Sequence, residues 1–323
     1  MPEMRVENIA LDYEGEWNSI PSADASIGSR HETNDAADHD AAARWSGAFR
    51  SAKVFASTGD YGLAEIWLDG KRLQVIDLYS SSERHGVLVC TIDNLEAEFH
   101  TLEIRKSGRK NKCSSSCRLN LDYLEVDFVK PSNVRYRQIV CIGDSITFGA
   151  NVEDRPLGLY GRRLQSMLAV PVSVHGLSGA SIRTVTGVLD AVVAPRNPDL
   201  VLWLAGMNDE RPYAAMVQGI ERIMELMPGA ELIVSNIPYN SYYSEEQNQR
   251  KADEVAQACR RMSVPCIDLY GMTSGNVRLL LPENTVHPNS EGHGVISSAF
   301  YREIIRRKYS FESPAEPRPH SGR

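Results

Sequence analysis

Arg137-Gln138-Ile139-Val140-Cys141-Ile142-Gly143-Asp144-Ser145-Ile146-Thr147 is the stretch on which the fold turns. Arg137–Ile142 reads as a short apolar strand, the form a strand takes when helices cover both faces of a parallel sheet. It runs into Gly143-Asp144-Ser145, a glycine ahead of a serine on a tight strand-to-helix turn. Such a turn sets the hydroxyl at the sheet edge, where a substrate approaches. Gly-Asp-Ser is also an ordinary turn sequence, so its meaning depends on the segments that follow.

Those segments repeat a strand, loop, helix order. Leu159–Leu168 reads as helix, Val172–His175 as strand and Leu200–Leu204 as a fully apolar strand. Tyr213–Met227 is helical, Glu231–Ser235 a strand, Glu245–Met262 a long helix, Pro265–Leu269 a strand and Ser290–Arg307 a final helix. This alternation predicts a mostly parallel sheet with helices on both faces and ligands beyond the carboxyl ends of its strands. Upstream the texture differs. Ala64–Leu68 leads into the hairpin signal Asp69-Gly70, and Leu73–Leu78, Gly86–Ile92, His100–Ile104 and Leu119–Phe128 continue as short alternating runs. An antiparallel β-sandwich fits that spacing. The expected division is residues 1–130 as an all-β sandwich, 131–308 as an α/β domain and 309–323 as a flexible tail with three prolines.

Composition narrows the function. With 323 residues the chain exceeds the ~150-residue norm for one domain, which agrees with two. Its formal charge of −7 argues against partners that reward excess Lys and Arg, nucleic acid above all. No apolar run approaches the ~20 residues of a membrane span. The start, Met1 to Arg5, has neither the apolar core nor the cleavage site of a signal peptide, so the default expectation is cytoplasmic, with action outside the cell left open. Six cysteines are too scattered for a disulfide scaffold. Cys113 and Cys117 read as two free thiols in a loop, with a local disulfide as the alternative, and no further ligands stand at zinc spacing.

Three more loops join Ser145 at the predicted strand ends. Leu177-Ser178-Gly179-Ala180 offers a backbone N–H, and Asn208 in Gly206-Met207-Asn208-Asp209 offers amide donors to a developing oxyanion, or a helix cap. His287, in Val286-His287-Pro288-Asn289, precedes the last helix, where a general base can reach back to Ser145. His293 falls on the first turns of that helix and reads as structural.

These four blocks resemble, in order, those of the SGNH hydrolase (GDSL esterase) superfamily over about residues 135–307, with Ser145, Gly179, Asn208 and His287 spaced 34, 29 and 79 residues apart. The resemblance implies a flavodoxin-like α/β/α domain with Ser145 as nucleophile and His287 as general base. It implies an oxyanion hole of the Ser145 and Gly179 backbone N–H groups and the Asn208 side chain. Chemistry carried by serine and histidine calls for no cofactor and no metal. One position departs from the family, which places aspartate three residues before the histidine: here Asn284 stands there, with Glu283 one residue off register. In serine proteases asparagine at the orienting position fixes the wrong tautomer and costs about 10⁴ in rate. A Ser–His dyad, an acid supplied by Glu283 and an impaired site are the three readings, the dyad being favoured.

The first half, through Val75–Ser80, His100–Ile104 and Leu121–Val126, resembles the jelly-roll modules found beside glycan-active enzymes. A jelly roll ahead of an SGNH domain is the layout of the second carbohydrate esterase family, which implies a carboxylic ester hydrolase removing acetyl groups from an oligo- or polysaccharide. The alternatives are a lysophospholipase- or thioesterase-like acylhydrolase and a glycan-binding protein with an impaired SGNH domain. Trp17, Trp45 and Trp67 offer faces for sugar stacking, though Trp67 reads as core. Glu32, Asp35, Asp38 and Asp40 lack the glycine and terminal glutamate of a calcium loop and read as solvated. Asp154-Arg155-Pro156, Glu210-Arg211-Pro212 and Tyr239, Tyr242 and Tyr243 are expected to rim the pocket.

Overall fold

The computed structural model describes residues 4–27, 29–35, 41–129, 136–282 and 284–309. The N-terminal region is all-β: β1 (Met4–Glu7), β2 (Asp12–Glu14), β3 (Trp17–Pro21), β4 (Ser29–Thr33), β5 (Ala42–Thr58), β6 (Gly62–Leu68), β7 (Lys71–Asp77), β8 (Arg84–Ile92), β9 (Glu98–Lys110), β10 (Asn120–Leu121) and β11 (Tyr123–Phe128). β5 is its spine. Its first half pairs with β9 from Ala42↔Arg105 to Phe49↔Glu98, and its second half with β8 from Ala52↔Ile92 to Thr58↔Arg84. Its other edge meets β2 and β11. β10, β4 and β3 form a separate three-stranded sheet.

No strand was expected at β5. Ala42, Ala43, Ala48, Ala52 and Ala56 with Gly47 interrupt the β-branched and aromatic residues that mark strands. Small side chains suit it because it is paired along both edges and its alanines are buried.

The C-terminal domain is α/β, built from β12 (Ile139–Gly143), α1 (Ser145–Phe148), α2 (Arg155–Gly158), α3 (Tyr160–Leu168), β13 (Val172–Gly176), α4 (Ile182–Thr186), β14 (Leu200–Leu204), α5 (Pro212–Leu226), β15 (Glu231–Ser235), α6 (Glu245–Met262), β16 (Cys266–Ile267), α7 (Leu269–Thr273), the hairpin β17 (Leu280–Leu281) and β18 (Asn284–Pro288), and α8 (Ser290–Tyr309). Its parallel sheet runs β13-β12-β14-β15-β16, the 2-1-3-4-5 order of doubly wound folds. Because side chains alternate across a strand, Val140, Ile142, Val201 and Trp203 face one buried cluster with α5 and α6. Ile139, Cys141, Leu200, Leu202 and Leu204 face the other, with α3 and α8. β16 is shorter than expected because the Asp268 side chain accepts from the Gly271 N–H and starts α7.

The second cluster does not end at the α/β domain. It continues through α8 into Val6, Trp45, Phe49 and Phe128 of the all-β region. Tyr301 stacks on Trp45 with ring centroids 6.2 Å apart and meets Phe128 edge-on at 5.1 Å. Its hydroxyl accepts the buried Ala48 N–H at 3.0 Å. α8 is therefore buried on every side from Gly292 to Tyr301, His293, Ser297 and Ser298 included, as a helix covered on both sides must be. Trp45, offered as a sugar platform, is 1% exposed and belongs to this core instead.

Other expectations shift. Trp67 is half-buried, its ring covered by the Arg105 guanidinium at 4.1 Å, and Trp17 leans on Tyr13 at 4.9 Å. Glu32 is not solvated: it is buried in β4 and paired with Arg30 and Arg118, which offsets the cost of burying its charge. Asp35 accepts from the Cys117 N–H and the Ser116 hydroxyl, while Asp38 and Asp40 lie outside the described residues. Cys113 and Cys117 are free thiols. The expected boundary at 130–131 and the tail from 310 onward lie outside the described residues, and Tyr309 ends α8 rather than beginning the tail.

Tyr301→Phe keeps the ring packing and strands the buried Ala48 N–H, so it should cost about 1–3 kcal/mol. Urea unfolding of the two proteins measures this; equal midpoints and slopes would show that the hydroxyl adds nothing to the junction.

Candidate active site

β12 lies between β13 and β14, and the chain leaves it through a close backbone approach. A Cβ on Gly143 would sit 1.9 Å from the Leu204 carbonyl oxygen and 2.3 Å from Thr147 Oγ1, so only glycine lets the turn close. Asp144 caps α1, accepting the Ile146 N–H at 2.9 Å, and Ser145 opens that helix. The following loops meet it at the switch point where connections from the central strand diverge, the place in this topology where ligands bind.

His287 arrives from the far end of the chain. β17 and β18 pair from Leu280↔Pro288, and Asn289 locks the hairpin, its N–H donating to Leu279 O at 2.8 Å and its Nδ2 to Leu280 O at 3.2 Å. The Ser241 N–H donates to Thr285 O at 2.9 Å, tying the tyrosine-bearing loop to the same strand. This support sets His287 Nε2 2.9 Å from Ser145 Oγ. Burial holds the imidazole pKa below its ordinary 6.5, so the ring is neutral at neutral pH and Nε2 can accept the serine proton.

The Gly179 and Asn208 loops come together as well. Gly179 has φ +75°, a left-handed conformation that favours glycine. Asn208 Nδ2 donates to the Ala180 carbonyl at 2.9 Å, and Asp209 Oδ2 accepts the Ile182 N–H at 2.9 Å, so two contacts stitch the loop after β13 to that after β14. Asn284 lies in β18 three residues before His287, and Glu283 lies outside the described residues. His293 is 1% exposed and stacks on Tyr160 at 6.0 Å, in keeping with a structural part.

The expected rim is mixed. Arg155 lies over the Phe148 ring at 4.2 Å, one turn from Ser145, while Asp154 caps α2 and Arg211 pairs with Glu254 at 2.6 Å. Tyr242 is exposed and meets Tyr243 edge-on at 4.9 Å, whereas the Tyr239 N–H is held by Thr273 Oγ1 at 2.8 Å.

Two supporting residues escaped the sequence reading. Lys251, buried in α6, donates from Nζ to Met207 O at 2.9 Å and to Asp209 O, fastening the Asn208 loop from beneath. A lysine on the buried face of a helix is the one signal that pointed to it. Asp144 is fully buried, and desolvation raises its carboxyl pKa from 3.8 to about 7, against the opposing pull of the Ile146 and Met207 amides.

Residues 141–295 match the GDSL-like Lipase/Acylhydrolase family, so this segment carries a GDSL-like acylhydrolase domain. Similar solved structures include the lipase/acylhydrolase from Enterococcus faecalis (23% identity, 53% of this chain and 96% of that one, TM-score 0.45). A Corynascus thermopiles (Myceliophthora fergusii) carbohydrate esterase family 2 enzyme plus carbohydrate binding domain aligns over 93% of this chain and 99% of its own (17% identity, TM-score 0.45). A catalytic mutant of an acetylxylan esterase from Geobacillus stearothermophilus aligns over 52% and 94% (21% identity, TM-score 0.43). Comparison with curated proteins returns no match.

Asp144 has a measurable signature. Its folded pKa lies above its unfolded value, so its contribution to stability is whole below about pH 4 and is lost as the pH rises through about 7. Asp144→Asn should flatten the pH dependence of unfolding free energy across that window. Denaturant titrations at a series of pH values check this, and an unchanged profile counts against it.

Proposed function

We propose that the protein is a serine esterase that removes O-acetyl groups from a carbohydrate. The observation that carries the reading is the 2.9 Å contact between His287 Nε2 and Ser145 Oγ at the carboxyl end of β12. A serine hydroxyl is a weak nucleophile until a base takes its proton. In this reading His287 accepts that proton as Oγ attacks the acetyl carbonyl, and the carbonyl oxygen becomes an alkoxide. The Ser145 and Gly179 backbone N–H groups and the second N–H of the Asn208 amide serve as its donors, each worth about 2.7–4 kcal/mol in such sites. The imidazolium then returns its proton to the departing sugar oxygen, leaving acetyl-Ser145. Water, deprotonated by the same histidine, attacks the acyl-enzyme and releases acetate.

Asn284 supplies no carboxylate, so the reading is a Ser–His dyad. Burial already favours the neutral imidazole that a base must be. A carbohydrate substrate is supported by the all-β region, which we read as a jelly-roll module spanning about residues 1–130, ahead of a catalytic domain at 131–308. The loop residues beside the nucleophile, Arg155 foremost, suit a hydrophilic ester better than a long acyl chain.

Acetate release from an acetylated xylo-oligosaccharide, set beside hydrolysis of 4-nitrophenyl acetate and a long-chain 4-nitrophenyl ester, tests the reading. Ser145→Ala and His287→Ala should each lower kcat at least 10³-fold, as removal of a nucleophile or its base does. Asn284→Ala should stay within about threefold, since a dyad asks nothing of that side chain. Equal turnover of the long-chain ester would overturn the deacetylase reading, and a large loss in Asn284→Ala would overturn the dyad. The acid limb of kcat/KM should fall below pH 6.5, because His287 must lose its proton to act and burial lowers its pKa. A pH–rate profile with that limb above 6.5 would contradict the assignment.

A further inference from the structure

A cavity of about 680 Å³ opens along the outer flank of β13, the edge strand next to β12. Phe148, Arg155, Leu159, Arg162, His175 and Leu177 are among its walls. It adjoins the candidate site by two routes. Phe148 lies three residues after Ser145 on α1, a spacing that puts the two side chains on one helix face about 5–6 Å apart. Leu177 begins the loop that carries Gly179, and His175 and Gly176 pair with Ile142 and Gly143, the residues that lead into the Ser145 turn.

The lining is unusual for a chain of net charge −7: its ionisable members are Arg155, Arg162 and His175, and it includes no carboxylate. The two guanidiniums are only partly engaged. Arg155 donates to the Phe148 carbonyl and Arg162 Nη1 to Val172 O at 3.4 Å, leaving most of the five N–H donors each carries. His175 Nε2 is buried with no hydrogen-bond partner among the described residues. Arg196 adds positive potential at that ring. Two arginine forks with most of their donors uncommitted are chemistry that recognises an oxygen anion. The apolar Leu159 and Val174 give a wall for the body that carries it.

We propose that this cavity holds an anionic group on the alcohol portion of the substrate, with Arg155 and Arg162 selecting it, so that the preferred substrate is an acetylated acidic sugar. The inference rests on the esterase reading above and deepens it. A carboxylate and a phosphate share the required chemistry, and the test separates them.

The experiment compares acetate release by the wild-type protein from an O-acetylated methyl glucuronoside, from the methyl ester of the same compound and from an O-acetylated methyl glucoside 6-phosphate. The free acid should be favoured over its methyl ester at least tenfold in kcat/KM, mostly through KM. A phosphate favoured over the carboxylate upholds the cavity and assigns it to phosphate. In the Arg155→Gln/Arg162→Gln double variant the preference should fall to within twofold of unity. Equal handling of acid and methyl ester by the wild type, or an undiminished preference in the double variant, overturns the proposal. Calorimetric titration with glucuronate and with its methyl ester keeps the two readings apart. If no ester is hydrolysed, the esterase reading fails, while glucuronate binding that is lost in the double variant still upholds the cavity and its absence overturns it.

Discussion

The close contact between Gly143 and the Leu204 carbonyl governs the candidate site, because it lets β12 end flush against β14 and turn at once into α1. Were a side chain present, the strands would part and Ser145 would leave the sheet edge. The same turn buries Asp144, whose side chain caps the short helix that Ser145 begins. A four-residue helix has little stability of its own, so its position comes from the sheet beneath it and from that cap. Backbone packing thus sets where Ser145 stands, and its hydroxyl meets His287 Nε2 there.

Around this point the chain gathers pieces that are far apart in sequence, and the supports differ in kind. The His287 strand is held by a two-stranded hairpin and Asn289. The Asn208 loop is held from below by Lys251 and sideways by the Ala180 and Ile182 backbone. Each support satisfies a backbone carbonyl or N–H that would otherwise be stranded, so fixing the site and meeting the hydrogen-bond requirement of buried loops are one operation. The junction follows the same logic on an apolar scale. Trp45, Phe128 and Tyr301 make α8 part of both halves, so the all-β region packs against the helix that follows the His287 strand.

Much of the α/β half was legible in the sequence. Leu200–Leu204, Glu231–Ser235 and Glu245–Met262 have the limits their patterns predicted, because short apolar strands between helical segments leave little freedom. The Ser244–Gln247 capping box marks the start of α6 without ambiguity. The all-β half was less legible. β5 hid behind alanines that pack because four strands border it, and Trp45, offered as a face for sugar stacking, was claimed by the core. Glu32 looked like a loop acid until Arg30 and Arg118 closed on it.

By itself the sequence determined the order of elements, the residue types at the strand ends and the absence of an aspartate three residues before His287. Those are properties of local pattern and of side-chain chemistry, which need no partner to be read. Tertiary structure alone decided that Ser145 and His287, 142 positions apart, stand 2.9 Å from each other. It also decided that the two arginines and the histidine beside β13 share one cavity, and that the two halves share one core. Distances between remote residues depend on how sheets and helices close around them, and a linear pattern does not contain that closure.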